Sequence, residues 1–303
     1  MRPRSMNGKT GSPRQTRRII RHIGKTLVNR TNLFRWIRAA GRCLAAAAGL
    51  SSLAVLAQAP PASLEAEVPP PQPGRTQVFE FPELPKTLAG DIASMRVRVP
   101  NTYDPARKYP VFVWINGGTG GRGGPRTDLV DPEKYLCTGL PLFKRAAKRK
   151  TTGVESLHVD YDDAEILWNA WSVMLGRLEK EFPNIAFGKG VAAGFSNGAH
   201  AVGVLLTKKP KEMRRWFGAF VFVEGGYMLK SRSPVRDCPV LVLAGEKSWA
   251  QKEMGFDSSP AMDARDFARR LKADLIVMSG VGHAFPAGEY APRVKEWLGK
   301  EGF

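Results

Sequence analysis

A serine between two closely spaced glycines is the feature of this sequence best suited to chemistry. Residues 194–198 read Gly-Phe-Ser-Asn-Gly, and the hydroxyl of Ser196 could act as a nucleophile. The spacing is typical of a sharp turn between a strand and a helix, in which small neighbours relieve crowding around an exposed serine. The apolar run 190–195 predicts the strand, and the pattern of 199–207 predicts the helix. Ser196 is therefore the predicted nucleophile.

A serine hydroxyl needs a base, and residues 60–303 offer three histidines. His283 lies in a glycine-containing loop after the last predicted strand, and it follows Ser196 in the order expected of a Ser-His pair. His200 lies one helical turn after Ser196 and is expected to point away, in a supporting or packing role. His158 precedes Ser196 and is a candidate substrate contact or surface residue. We predict that His283 is the base.

Attack on a carbonyl also requires hydrogen-bond donors for the oxyanion that forms. The backbone N–H of Asn197, which follows the serine, is one candidate donor. The loop after the predicted strand 111–115 begins Asn-Gly-Gly, so the N–H groups of Gly117 and Gly118 are the others. These three groups are the predicted oxyanion donors.

The same loop contains a Gly-x-Gly-x-x-Gly pattern at residues 118–123, which also occurs in dinucleotide-binding proteins. That function requires a helix immediately after the glycines and an acidic residue about 20 positions further on. Pro125 and the Asp-Pro pair at 131–132 block the helix, and Gly-Leu-Pro at 139–141 occupies the place of the acid. The pattern therefore does not predict a dinucleotide site.

Apolar runs and helical patterns alternate along residues 75–303, as in a doubly wound, mostly parallel α/β sheet that forms one domain. The predicted strands are 77–81, 93–99, 111–115, 190–195, 218–223, 240–244 and 275–278, and the predicted helices are 165–182, 199–207, 261–271 and 291–298. Residues 60–74 are rich in proline and predict an extended linker.

Residues 1–59 resemble a secretory signal peptide, with a basic start, an apolar run at 43–57 and small residues before two candidate cleavage sites, after Ala57 and after Ala59. We favour the first, because proline follows the second. The run is shorter than the ~20 residues that span a bilayer, so no stable membrane span is expected after cleavage. We expect a secreted or periplasmic product. That environment permits disulfides, and Cys137 and Cys238 are either paired or free and buried.

The net charge of +18 does not predict a nucleic-acid partner. Residues 1–59 hold 12 of the 46 basic residues and none of the 28 acidic ones. The remaining 244 residues carry 34 basic and 28 acidic side chains, a net charge of +6. Such an excess is ordinary for a soluble domain, so we expect weak binding to DNA at physiological salt.

From about residue 75 to the end, the sequence resembles the α/β-hydrolase family, near the esterases and polyester depolymerases whose turn reads Gly-x-Ser-Asn-Gly. The segment Trp-Ile-Asn-Gly-Gly at 114–118 corresponds to that family's oxyanion loop. The resemblance implies an α/β-hydrolase fold and a Ser-His-acid triad, with no metal or organic cofactor. Relatives usually carry aspartate three residues after the glycine that ends the seventh strand, but Ser248 stands there. Glu246 and Glu224 are the candidate replacements, and we favour Glu246.

The expected activity is hydrolysis of carboxylic esters through an acyl-enzyme, with a small-molecule or polymeric ester as substrate. The resemblance implies small esters, plant-cell-wall acyl esters or polyester fragments. Two alternatives stay open, a peptidase of the same fold and a non-catalytic scaffold that binds a glycan or a cell-surface partner. The missing aspartate at position 248 motivates the second.

Overall fold

The computed structural model describes residues 70–145, 157–248 and 264–303. These residues belong to one compact unit, which spans Ala66–Phe303. The predicted signal peptide and all but the last five residues of the predicted linker lie outside the described residues, as do residues 261–263 of a predicted helix.

The described residues contain eight strands, which form a single sheet in the order β1-β2-β4-β3-β5-β6-β7-β8. The second strand is antiparallel to both neighbours, and the strands from β4 to β8 pair in parallel. The mostly parallel sheet is thus confirmed. The strands are β1 Thr76–Phe81, β2 Ala93–Arg98, β3 Val111–Ile115, β4 Leu136–Gly139, β5 Gly190–Phe195, β6 Phe217–Val223, β7 Val240–Gly245 and β8 Asp274–Met278.

Burial explains why these sequences form strands where they do. Every residue of β3 and β7 is buried, because helices cover both faces of the sheet centre. In β2, Met95 and Val97 are buried while Arg96 between them is exposed, which is the alternation of a half-covered strand next to the sheet edge.

In the described part of the chain, five α-helices flank the sheet: α1 Ala164–Glu181, α2 Asn197–Lys208, α3 Pro210–Trp216, α4 Ala264–Leu271 and α5 Ala287–Lys300. The apolar side chains of α1 to α4 share one hydrophobic core. Those of α5 pack in a second core, against side chains of β3, β5 and β7. Among the helices that the structure describes, none is both long and apolar enough to cross a membrane.

Cys137 and Cys238 are free in the structure, and both are buried. Burial raises the pKa of the Cys137 thiol to about 12, and it also raises the pKa of the Cys238 thiol. Since the thiolate is the reactive form, both side chains behave as small packing residues rather than as nucleophiles.

Candidate active site

Ser196 occupies the turn between β5 and α2, with a backbone φ of 52° and ψ of −117°. A positive φ is costly for a residue with a side chain and persists only where its surroundings fix it. Here the Ser196 N–H donates to Val223 O at 2.8 Å, and the His200 N–H donates to Ser196 O at 3.0 Å. The turn therefore lifts the serine hydroxyl out of the sheet and presents it at the carboxyl edge.

The two glycines of the motif are required by close backbone contacts. A methyl group on Gly194 would stand 2.6 Å from the backbone nitrogen of Ala199, in the helix that follows the turn. One on Gly198 would collide with the carbonyl oxygen of Ile115, at the end of β3. These contacts explain why the turn is tight and why α2 can begin directly after Ser196, two residues earlier than predicted.

Three side chains form a continuous hydrogen-bonded chain at this edge. Ser196 Oγ lies 2.8 Å from His283 Nε2, and His283 Nδ1 lies 3.2 Å from Glu224 Oε2. A carboxylate can only accept, so Nδ1 carries the hydrogen and Nε2 is left to accept the serine proton. The Glu224 side chain is 1% exposed and that of His283 is 35% exposed. The arrangement is open to a substrate at the serine end and closed at the acid end.

Glu224 follows the last residue of β6 and has a positive φ of 53°. Its Oε1 accepts from the Gly245 N–H, and its Oε2 accepts from the Ser248 hydroxyl as well as from His283. Both oxygens are thus fixed by donors from the end of β7 and the residues after it. A buried carboxylate held by several donors satisfies the requirement that buried charges be hydrogen-bonded.

Glu246, favoured from the sequence as the partner of His283, lies elsewhere. Its Oε2 accepts from the Gly280 N–H at 2.8 Å and from Ser279 Oγ at 3.1 Å. The Gly280 bond and then the Ser279 bond lower the pKa of the Glu246 carboxyl. The preference is therefore corrected: Glu224 contacts the imidazole, and Glu246 braces the start of the loop that carries it.

The loop of His283 passes closely over the end of β7. A methyl group on Gly245 would stand 2.5 Å from Val281 O, so only glycine permits this approach. The Lys247 N–H donates to the same carbonyl at 2.8 Å, which ties the loop to the residues after β7. The ring of Phe195 lies beside the imidazole, with their centroids 5.3 Å apart. These contacts position His283 between Ser196 and the acid.

The predicted oxyanion loop lies against the nucleophile. A methyl group on Gly117 would stand 3.0 Å from Ser196 Cβ and 2.8 Å from the ring of Phe195, so the loop backbone passes directly beside the serine. Asn197 is the first residue of α2, where backbone N–H groups have no acceptor within the helix. The structure thus brings Gly117, its neighbour Gly118 and Asn197 to the side of Ser196.

The Asn197 side chain joins three segments of this site, a role that sequence reasoning missed. It is 2% exposed. Its Nδ2 donates to Gly118 O at 2.7 Å and Leu157 O at 2.8 Å, and its Oδ1 accepts from the Val159 N–H at 2.8 Å. The amide therefore links the predicted oxyanion loop and the segment before α1 to the turn that carries Ser196. The only signal in the sequence was an asparagine next to the serine.

The remaining histidines form a cluster beside the Ser196–His283–Glu224 hydrogen-bonded chain. The His200 ring centroid lies 6.2 Å from that of His158 and 5.9 Å from that of Tyr227, and His200 Nδ1 accepts from the Gly226 N–H at 3.3 Å. Burial, and then the nearby His158 and His283, lower the pKa of His200 to about 4. His200 is therefore neutral at pH 7, in a supporting position, and His158 lies at the surface next to it.

Within residues 70–145, 157–248 and 264–303, no group of three or more His, Cys, Asp or Glu side chains is arranged to hold a metal ion. The glycine-rich loop after β3 leads to a short 3₁₀ turn at Thr127–Leu129 and then to β4. That order lacks the helix that a dinucleotide fingerprint requires.

Comparison with known proteins gives matches in structure alone. No protein-family model matches the chain, and no curated protein matches its sequence. A thermostable esterase matches with a TM-score of 0.50 at 19% identity, over 75% of this chain and 62% of the esterase, so the match spans less than two thirds of the esterase's length.

Two further solved structures match with lower TM-scores. An S-formylglutathione hydrolase from Agrobacterium tumefaciens has a TM-score of 0.46 at 12% identity, over 74% of this chain and 93% of that one. A feruloyl esterase module from Clostridium thermocellum has a TM-score of 0.44 at 15% identity, over 75% and 87%. At such identities the likeness is one of fold.

Proposed function

We propose that this chain, which has the α/β-hydrolase fold, is an exported serine hydrolase that cleaves carboxylic esters through an acyl-enzyme. The observation that carries the proposal is the hydrogen-bonded chain from Ser196 through His283 to Glu224. A nucleophile, a base in reach of its proton and a buried acid behind the base are the groups that acyl transfer needs.

In the first half of the proposed reaction, His283 Nε2 removes the Ser196 proton as Oγ attacks the ester carbonyl. The carbonyl oxygen becomes an oxyanion, which the N–H groups of Asn197 and of Gly117 or Gly118 stabilise. Collapse of this intermediate breaks the ester C–O bond, the imidazolium gives its proton to the departing alcohol, and the acyl group stays on Ser196 Oγ. Glu224 keeps the ring in the required tautomer and stabilises its positive charge.

In the second half, water replaces the alcohol. His283 removes a proton from that water, which attacks the acyl carbon, and the same donors stabilise the second oxyanion. Collapse of this intermediate breaks the bond to Ser196 Oγ, which recovers its proton from the imidazolium. The cycle consumes water and releases a carboxylic acid, and it needs no metal or organic cofactor.

Covalent labelling tests the nucleophile. The chain lacking residues 1–57 is treated with a fluorophosphonate probe and, separately, with short-chain nitrophenyl esters and matching anilides. We expect labelling and ester turnover by the unmodified protein and neither by Ser196→Ala. If the unmodified protein neither reacts with the probe nor hydrolyses either substrate, the proposal that the chain is an enzyme is refuted. Turnover of anilides without turnover of esters would favour the peptidase.

The acid is tested with two matched substitutions. Glu224→Gln keeps the shape of the side chain but removes the charge facing His283, and kcat should fall by about 10⁴-fold. Glu246→Gln removes a charge that holds only the start of the His283 loop, so we expect kcat to fall by about tenfold or less. The opposite ranking in steady-state kinetics would move the acid to Glu246.

Export is proposed from the sequence of residues 1–59, which lie outside the described residues. Secretion of the full chain from a bacterial host, followed by N-terminal sequencing, should give a product that begins at Gln58. A product that keeps Met1 and stays with the cytoplasm or the membrane would contradict it.

A further inference from the structure

The side chain of Arg126 lies where the loop after β3 meets the loop that carries His283. Its Cζ atom is 5.1 Å from the centre of the Trp114 ring and 5.6 Å from the centre of the Phe285 ring. Trp114 belongs to β3, whereas Phe285 follows His283 by two residues. The two rings lie against each other, with their centroids 6.0 Å apart. Arg126 thus packs on a strand of the central sheet and on the loop of the proposed base at the same time.

Asp128 fixes the guanidinium in this place. Arg126 Nε donates to Asp128 Oδ1 at 2.7 Å, and Arg126 Nη2 donates to Asp128 Oδ2 at 2.6 Å. Two parallel bonds set the plane of the guanidinium, and a cation over an aromatic face is attracted by the ring. Asp128 lies in the short turn Thr127–Leu129, whose Leu129 is buried in the same core as α5. The bonds from Arg126 lower the pKa of the Asp128 carboxyl, so the pair is ionised at neutral pH.

The Trp114 ring connects this arrangement to the predicted oxyanion loop. Its Nε1–H donates to Asn116 Oδ1 at 2.7 Å, and Asn116 directly precedes Gly117. Trp114 is 2% exposed and belongs to a strand with neighbours on both sides, so it is a rigid support. Arg126 and Phe285 therefore rest on the residue that also holds the start of the oxyanion loop.

The loop of His283 is held on both sides of the imidazole. Before it, Gly280 and Val281 are hydrogen-bonded to the residues that follow β7. After it, Phe285 contacts the indole and the guanidinium described above. Loosening this second side would let the imidazole move relative to Ser196 Oγ, which is 2.8 Å from His283 Nε2.

We propose that Arg126 is a positioning residue, which holds Phe285 in place and thereby keeps the His283 imidazole in reach of the nucleophile. The inference rests on the proposed function and deepens it. It adds a side chain on which the proton transfer depends, although no proton passes through it.

The chain carries another arginine in similar surroundings, which provides a matched control. The Cζ atom of Arg215 lies 4.6 Å from the centre of the Phe187 ring and 5.5 Å from that of the Trp216 ring. Its Nη2 donates to both carboxylate oxygens of Glu179, at 2.7 and 2.9 Å. Arg215 precedes β6 and Phe187 precedes β5, so this stack lies at the opposite edge of the sheet from Ser196. Arg215→Gln therefore removes a comparable stack far from the site.

Replacing Arg126 by glutamine should lower kcat for nitrophenyl acetate by about 10- to 100-fold, with little change in KM. The base is displaced while the contacts to the ester remain, and a displacement approaching 1 Å costs about a hundredfold. Arg215→Gln should leave kcat unchanged at a temperature where circular dichroism shows both variants folded. Equal kcat values for the two variants would overturn the positioning role.

The route through Phe285 is tested by a further variant. Phe285→Leu keeps an apolar side chain but loses the ring, so it should lower kcat to a similar extent. Combined with Arg126→Gln, it should lower kcat no further, because both substitutions remove the same contact. An unchanged kcat in Phe285→Leu, or effects of the two substitutions that multiply, would overturn this route.

A readout apart from activity separates this inference from the proposed function. Histidine ¹⁵N chemical shifts should report one tautomer of His283 in the unmodified protein, with the proton on the Nδ1 atom that faces Glu224 Oε2. Arg126→Gln should give a mixture of tautomers, and Arg215→Gln should not. Identical shifts in the unmodified protein and in Arg126→Gln would overturn the positioning role, whether or not the protein is active. Failure of the unmodified protein to react with fluorophosphonate would refute the proposed hydrolase alone.

Discussion

Replacing Asn197 by alanine should lower both the stability of the fold and the rate of the proposed ester hydrolysis. The side chain is buried and makes three hydrogen bonds, to Gly118 O, to Leu157 O and from the Val159 N–H, with lengths of 2.7 to 2.8 Å. All three partners are backbone groups of loops, which have no strand or helix ladder to satisfy them instead. Truncation thus removes the shared connection between two loops and the nucleophile turn.

The size of the effect follows from those contacts. A net contribution of about 1 kcal/mol for each bond gives about 3 kcal/mol in the free energy of unfolding. For a domain of this size, that loss corresponds to a decrease of about 6–12 °C in Tm. The activity should fall separately, because the Gly118 carbonyl is released and a shift of about 1 Å in the oxyanion donors costs about a hundredfold in kcat.

Asn184 provides a matched control remote from the nucleophile. Its side chain also makes three hydrogen bonds, from Tyr103 Oη and to the carbonyl oxygens of Asp104 and Arg107. It precedes β5, and so lies at the opposite edge of the sheet from Ser196. Asn184→Ala should lower the urea midpoint but leave kcat unchanged at a temperature where both variants are folded.

Urea unfolding and nitrophenyl-ester kinetics on the folded variants separate the effect of Asn197 on stability from its effect on kcat. If Asn197→Ala keeps the kcat of the unmodified protein while losing stability, its side chain supports the fold without positioning the oxyanion loop. If it loses no more stability than Asn184→Ala, the three bonds of the buried amide are worth less than the structure implies.

Three further predictions follow from the burial of side chains and from close backbone contacts. The unfolded chain binds a proton at His200 below pH 6.5, whereas the folded chain binds it only below about pH 4. As the pH is lowered from 6.5 to 4, the free energy of unfolding should therefore fall by up to about 3 kcal/mol. His200→Gln should flatten that fall in urea titrations, and an unaltered slope would contradict the assignment. In the chain lacking residues 1–57, which therefore lacks Cys43, the thiols of Cys137 and Cys238 should react with Ellman's reagent only after unfolding, and rapid reaction of the native protein would show that their burial is breached. Gly225→Ala should lower Tm by several degrees, because its methyl group would stand 2.5 Å from the carbonyl oxygen of Ser196. Gly299→Ala is the control, since its methyl group would have nothing within 4 Å and should leave Tm unchanged. Equal Tm values for the two variants would refute this prediction.

The strands of the central sheet were predictable because burial on both faces requires each of them to be apolar within its own short segment. Strands buried on both faces must be apolar along their whole length, and the predicted ranges 111–115 and 190–195 agree with β3 and β5. Ser196 was predictable for a related reason. A turn that crowds the backbone on both sides demands glycine at fixed spacing, and those close contacts are present at Gly194 and Gly198.

Two elements escaped prediction because their residues carry little pattern. Strand β4 reads Leu-Cys-Thr-Gly, and four residues are too few to show a period. It forms because it is held between β2 and β3, which is a long-range contact. Helix α3 has only seven residues and follows α2 after a single residue, so its pattern merges with that of its neighbour.

The acid was misjudged because the choice depends on backbone direction rather than on residue type. Glu224 and Glu246 both follow a parallel strand directly, so the sequence places both at the same edge of the sheet. What separates them is the positive φ of Glu224, which turns its side chain back towards Gly245, and the course of the His283 loop. The glycines at 225 and 226 signal an unusual turn, but they do not give its direction.

The crowding at the end of β7 accounts for the position of the acid. The loop that delivers His283 crosses directly above Gly245, and Glu246 is held by the base of that loop at Gly280. The carboxylate for the imidazole must then come from beneath the loop, and β6 lies there, between β5 and β7. Because a side chain entering from β6 is buried, it needs donors, and these are Gly245, which ends β7, and Ser248, three residues further on. A serine at 248 thus supplies one of the donors that the buried carboxylate of Glu224 requires.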